Sequence, residues 1–153
     1  MAFFIFQGGC CSITRIKRIA VLDGQGGGIG KVITEKIRKE FKDSLEIWVF
    51  GTNAEATAQM LKAGADDGAT GENAIVMNMD KVDLIITSLS LLIPSALMGE
   101  VTPKIAEAVA SARARKLVLP LLRSNIQLVG IKHEPLPHLI ADVITWLKEN
   151  NQN

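Results

Sequence analysis

At 153 residues, with 48% apolar content and a formal net charge of +1, the chain is long enough to bury one core and has no charge footprint for DNA or RNA. Aromatic residues make up 5% and tyrosine is absent, which removes stacking platforms for single-stranded nucleic acid. The two cysteines are the adjacent Cys10 and Cys11, so spacing excludes a disulfide framework and a zinc set and points to a reducing, cytoplasmic compartment.

Residues 1–16 read as an extension ahead of the core, disordered or forming a short arm or extra strand. Met1–Phe6 is apolar but too short to span a bilayer, and no basic stretch precedes it as a secretory signal requires. The reading is therefore a chain without a membrane segment, with one domain over residues 17–149 and a polar tail at 150–153.

In chain order, Arg18–Leu22 is an apolar strand that runs into Asp23-Gly24-Gln25-Gly26-Gly27-Gly28-Ile29-Gly30. Ile29, Ile33, Ile37 and Phe41 then recur at helical spacing, giving a helix over Gly28–Phe41. Glu46–Phe50 is the second strand. Thr52 stands three residues before Glu55, a capping-box spacing that opens a helix ending near Ala63 at Gly64. Residues 66–81 admit either a helix over Glu72–Met79 or a strand over Ala74–Met77, with the helix favoured.

Val82–Thr87 is a buried strand followed by a serine-bearing loop from Ser88 to Gly99. Thr102-Pro103 pairs a capping threonine with proline at the first helical position, and Ile105, Val109 and Ala112 give that helix its inner face. Lys116–Leu121 is a strand, Arg123-Ser124-Asn125 a turn, and Ile126–Ile131 a returning strand that would lie antiparallel at the sheet edge. Leu136, Leu139, Ile140, Val143, Ile144 and Leu147 form a last amphipathic helix. Strands alternating with helices predict an α/β fold: a three-layer Rossmann-like sandwich with a mostly parallel sheet.

Ligands of such sheets bind beyond the carboxyl ends of the strands. The segments leaving those ends carry Asp23, Gly24, Gln25, Gly26, Gly27, Gly28, Ile29 and Gly30, then Thr52 and Asn53, then Ser88, and last Arg123 and Asn125. These are the candidate binding residues, and Thr70–Asn73 could join them if a helix starts there. Loop amides and a helix N-terminus together favour a phosphate. An ATPase-type phosphate loop fails, because Gln25 stands at its first glycine and Val32 at its hydroxyl residue. Lys31 is then a solvated helix residue. The spacing Gly24-x-x-x-Gly28-x-Gly30 resembles the first loop of short-chain dehydrogenases, which implies NAD(P) or another nucleotide. That resemblance stops at the first helix. No tyrosine exists for a catalytic Tyr-x-x-x-Lys pair, and Gly51-Thr52-Asn53 stands where an acid for the ribose belongs.

Asp23 at the head of the loop repels a phosphate by about 4 kcal/mol at 4 Å and an effective dielectric of 20. It therefore either bonds loop amides, the favoured reading, or holds a magnesium ion against the ligand. Arg123 can meet a phosphate or be solvated. Ser88, Ser90 and Ser95 lack a nucleophile elbow. His133 and His138, set around Pro135 and Pro137, read as surface residues rather than a metal or acid–base pair, and no metal set is assigned.

The segments Ile19–Lys31, Gly51–Gly64, Gly68–Ala74, Gly99–Pro103 and Glu134–Ile140 resemble a family of short bacterial proteins known only as a domain of unknown function, DUF3842. The resemblance implies the fold and a bacterial cytosolic origin and supplies no mechanism. Members often carry cysteine where Ser124 stands. Three functions follow. The first is a small Rossmann-like protein that binds a nucleotide or dinucleotide through Gly24–Gly30. The second is a non-catalytic regulatory module for a phosphorylated metabolite, which the shortage of acid–base groups favours over a self-contained catalyst. The third is an interaction protein with a purely structural loop. The partner is a small phosphorylated ligand, with self-association open.

Overall fold

The computed structural model describes residues 15–151. Its first strand, β1 (Arg18–Asp23), is buried on both faces. Ile19 and Val21 point into one apolar layer and Ala20 and Leu22 into the other, the period-two alternation of a strand covered on both sides. After β1 the order is α1 (Gly28–Phe41), β2 (Glu46–Gly51), α2 (Ala54–Lys62), β3 (Asp67–Thr70), α3 (Glu72–Asn78), β4 (Leu84–Ser88), α4 (Pro103–Ser111), β5 (Arg115–Leu119) and α5 (Leu136–Asn150). The strands lie in the order β3-β2-β1-β4-β5 and every pairing is parallel.

Helices cover both faces. Ile33 and Ile37 of α1, Met60 of α2 and Ile140, Val143, Ile144 and Leu147 of α5 pack on the Ile19/Val21 side. Ile75 of α3 and Ile105, Ala106 and Val109 of α4 pack on the Ala20/Leu22 side. The result is a three-layer α/β sandwich. No helix among the described residues is long and apolar enough to cross a membrane.

Local chemistry accounts for the element starts. The Thr102 hydroxyl accepts from the Ile105 amide at 3.2 Å and Pro103 opens α4, as the sequence predicts. Helix α2 is capped by Asn53, whose side chain accepts from the Ala56 amide at 2.9 Å, and not by Thr52. The Thr52 hydroxyl is engaged elsewhere, by Glu100. Residues 66–81 contain both a strand and a helix. β3 escapes sequence reading because Asp-Gly-Ala-Thr has no apolar run, and its register is set only by pairing with Trp48–Gly51 of β2.

The expected antiparallel edge strand is absent. β5 is the edge, it is parallel to β4, and residues 120–135 contain no strand. Ile126, Val129 and Ile131 form an apolar run but are 48%, 93% and 56% exposed, and Gly130 adopts a φ of +82°. The run has strand composition but pairs with no strand of the sheet. The expected extension, with Cys10 and Cys11, lies almost wholly outside the described residues. Ile16, its last residue, belongs to the core at 6% exposure.

Candidate functional site

The strand order reverses between β1 and β4: the chain steps from β1 to β2 and β3 on one side, then returns to place β4 and β5 on the other. The crevice beyond the carboxyl ends at such a switch point is where open α/β sheets bind ligands. A cleft of about 530 Å³ lies there, within the roughly 300–1,000 Å³ of small-molecule sites. Asp23 and Gly24–Ile29 form one wall, with Ser88 and Ser90 from the end of β4. Leu97, Leu121, Leu122, Arg123 and Leu136 complete it.

The five glycines of the loop divide into two groups. A Cβ on Gly24 would stand 2.7 Å from both Leu97 Cδ1 and Thr52 Oγ1. On Gly27, at φ +70°, it would stand 2.6 Å from the Ala56 Cα, and on Gly30 it would stand 2.8 Å from Asp23 Cβ and overlap Met60. These three are required by packing of the loop and α1 against the sheet and α2. A Cβ on Gly26 or Gly28 would meet nothing within 4 Å, and neither has a left-handed backbone. The fold does not require glycine at either position. Nor do their amides donate to any acceptor among the described residues, whereas Gly27 donates to the Gly24 carbonyl at 3.0 Å.

The other loop amides are taken by two carboxylates. Asp23, 6% exposed, accepts from the Gly24 amide at 2.8 Å through Oδ1 and from the Gly30 amide at 2.6 Å through Oδ2. It braces the loop from inside, and a bridging cation would have to compete with those bonds. Burial pushes its carboxyl up from the ordinary range. The bonds from Gly30, Gly24 and Ile29 work against that shift, and the Glu100 charge adds to it.

Glu100 braces the loop from the outside. Its Oε2 accepts from the Gln25 amide at 2.7 Å, the Thr52 hydroxyl at 2.6 Å and Asn53 Nδ2 at 3.1 Å. Asn53 Nδ2 also donates to the Gln25 carbonyl at 2.8 Å, which fixes Gln25 at its left-handed φ of +48°. Burial raises the Glu100 carboxyl, but the bonds from Thr52, Gln25 and Asn53 together outweigh it and hold the group below its ordinary range.

Ser88 is 5% exposed, faces the cleft, and its hydroxyl makes no hydrogen bond to a described protein group. Ser90 donates weakly to the Leu121 carbonyl at 3.4 Å. Arg123 lies exposed at the cleft wall. The remaining candidates are not brought to the cleft. Gly30 is consumed by Asp23, Thr52 and Asn53 are turned to Glu100, and Asn125 is exposed and does not line it. Lys31 is exposed. His138 pairs with Glu134 at 3.1 Å, while His133 lines a separate cavity of about 240 Å³. Among the described residues, no cluster of three His, Cys, Asp or Glu side chains could hold a metal.

Fold and site together define a parallel α/β protein with a glycine loop at the switch point of its sheet. The family model described as domain of unknown function (DUF3842) matches residues 18–152, and the chain belongs to that family. Comparison with curated proteins gives no match. Among solved structures, the chain is similar to a universal stress protein in complex with cAMP, at 19% identity, with 69% of this chain and 98% of that chain covered and a TM-score of 0.40. It is also similar to the universal stress protein from Archaeoglobus fulgidus, at 13% identity, 69% and 98% coverage and a TM-score of 0.39. The universal stress protein from Archaeoglobus fulgidus in complex with dAMP gives 12% identity, 68% and 97% coverage and a TM-score of 0.40.

Proposed function

We propose that this chain is a binding module for a small phosphate-bearing ligand of the nucleotide class, held in the β1–β4 cleft by the amides of Gly26 and Gly28. The observation that carries this reading is the pair of glycines that packing does not require. Glycine costs backbone entropy wherever it stands, and its use at Gly26 and Gly28, both lining the cleft, leaves open space and amides without an acceptor among the described residues. An approaching phosphate uses both. The N-terminus of α1 supplies a favourable dipole, Arg123 a positive charge at the rim, and Ser88 a hydroxyl at the cleft wall without a hydrogen-bond partner among the described residues. A purely structural loop accounts for Gly24, Gly27 and Gly30 and leaves Gly26 and Gly28 unexplained.

Binding rather than catalysis is favoured by the lining. Among the described residues, Asp23 and Arg123 are the titratable side chains of the cleft, and Asp23 is committed to the loop amides. Among the described residues, no acid–base pair lines the cleft.

Thermal shift tests the reading. A ligand at about a hundred times its dissociation constant adds about 2.7 kcal/mol, a rise of roughly 5–10 °C for a domain of this size. The natural chain is expected to respond to nucleotides, and Gly28→Asp is expected to fold and lose the response. Aspartate at the first position of a helix suits the dipole but sets a negative charge at the phosphate position. A Gly28→Asp variant that keeps the full shift, or no shift with any phosphate compound, contradicts the proposal. Repeating the series with and without magnesium decides whether a cation joins Asp23.

A further inference from the structure

We propose that Glu100 closes the β2 side of this site, so that its ligand is a compact phosphate compound of mononucleotide size and extended dinucleotides are excluded. The inference rests on the phosphate reading of the glycine loop and narrows its ligand class. In a dinucleotide site of this topology, one ribose lies beyond the carboxyl end of the second strand, where an acidic side chain holds its hydroxyls. Here the end of β2 carries Gly51, Thr52 and Asn53, and the donors of Thr52 and Asn53 are directed to Glu100. The carboxylate therefore reaches that position from the chain itself, between β4 and α4. It also takes the Gln25 amide, a loop donor that would otherwise be free for ligand. The cleft respects this boundary: its lining runs from the glycine loop to Ser88, Ser90 and Arg123 and includes no residue of the β2–α2 connection.

The segment that delivers Glu100 is built for the task. Ser95, Leu97 and Met98 all adopt left-handed backbone, at φ of +63°, +54° and +57°, a conformation that non-glycine residues adopt under constraint. Gly99 follows at +92°. The turn is closed by the Ser95 amide on the Val101 carbonyl at 2.7 Å and the Gly99 amide on the Ser95 carbonyl at 3.2 Å. It sets Leu97 against Gly24 and into the cleft wall, and Glu100 across Gln25, Thr52 and Asn53. One strained turn thus forms both the wall of the β1–β4 cleft and the stop over β2.

The test is isothermal titration of the full chain with inorganic phosphate, AMP, GMP, CMP, UMP, NAD and NADP. The expected result is that the best mononucleotide binds at least tenfold more tightly than either dinucleotide. In Glu100→Ala, with its fold checked by circular dichroism, the donors of Gln25, Thr52 and Asn53 are released. NADP, whose additional phosphate can use them, is expected to gain at least tenfold relative to that mononucleotide. NAD or NADP binding to the natural chain as tightly as the best mononucleotide overturns the exclusion and leaves the glycine-loop site standing. A folded Glu100→Ala that keeps the natural ratio overturns the role of Glu100. Silence across the series, phosphate included, removes the site and the exclusion together.

Discussion

Each glycine of the loop has its own physical account, and single substitutions separate them. Gly30→Ala drives a methyl into Met60 and toward Asp23 Cβ, at 2.8 Å, an overpacking expected to cost about 1–3 kcal/mol in urea unfolding. Gly28→Ala meets open space and gains helix propensity, so it is expected to be neutral or stabilising by up to about 1 kcal/mol. A large loss for Gly28→Ala would contradict the division of the glycines. Asp23→Ala leaves the buried Gly24 and Gly30 amides without their acceptor, at about 1–3 kcal/mol for each. The two carboxylates titrate with opposite signs. Glu100 lies below its ordinary range when folded, so its contribution is present above the unfolded value near 4.5 and is lost as pH falls through the folded value. Asp23 lies above its ordinary 3.8, so its stabilising contribution is present below that value and is lost as pH rises toward the folded one. Glu100→Gln is therefore expected to lose less stability than the natural chain between pH 6 and pH 3, read from urea midpoints. An equal or greater loss would mean that Glu100 does not hold its charge in the loop.

At the scale of elements, long-range ties fix what local sequence leaves open. Arg38 on α1 donates from Nε to the Gly64 carbonyl at 2.7 Å and pairs through Nη2 with Asp66 at 2.6 Å, which itself accepts from the Ile47 amide at 2.7 Å. This arginine joins α1 to the α2–β3 connection and to β2. Arg38→Ala is expected to cost about 1.5–3 kcal/mol, as hydrogen bonds of charged groups do, in the same unfolding assay. β1, α1, β2, α4 and α5 follow from apolar periodicity and caps within their own residues. β3 does not, because its four polar and small residues become a strand only beside β2. Ile126–Ile131 shows the converse: strand-like composition that finds no partner stays irregular. Thr52 carries the capping-box spacing, yet Asn53 performs the cap because Glu100 claims the threonine hydroxyl.

For the whole molecule, the sheet order determines how much of the site sequence can reveal. The glycine loop is legible because a strand, its loop and the next helix are contiguous. Glu100 is not, since it acts on Gln25 from 75 residues downstream. Its segment, Gly99–Pro103, contributes to the family likeness without any spacing that places it over β2. No acid follows β2 in sequence; the fold brings Glu100 there from another element, and its Oε2 is taken by Gln25, Thr52 and Asn53. The fold also sets the crevice at β1 and β4, where Gly26, Gly28, Ser88 and Arg123 meet and where Thr52, Asn53 and Asn125 do not. The most direct measurement follows the backbone amides of the loop by nitrogen-15 NMR while AMP, GMP, CMP and UMP are added in turn. The Gly26 and Gly28 amides are expected to shift with saturating dependence on a bound nucleotide while those of Gly64 and Gly68, at the far end of β3, stay fixed. Nucleotide binding that leaves Gly26 and Gly28 unmoved, or no binding by any of the four, would contradict it.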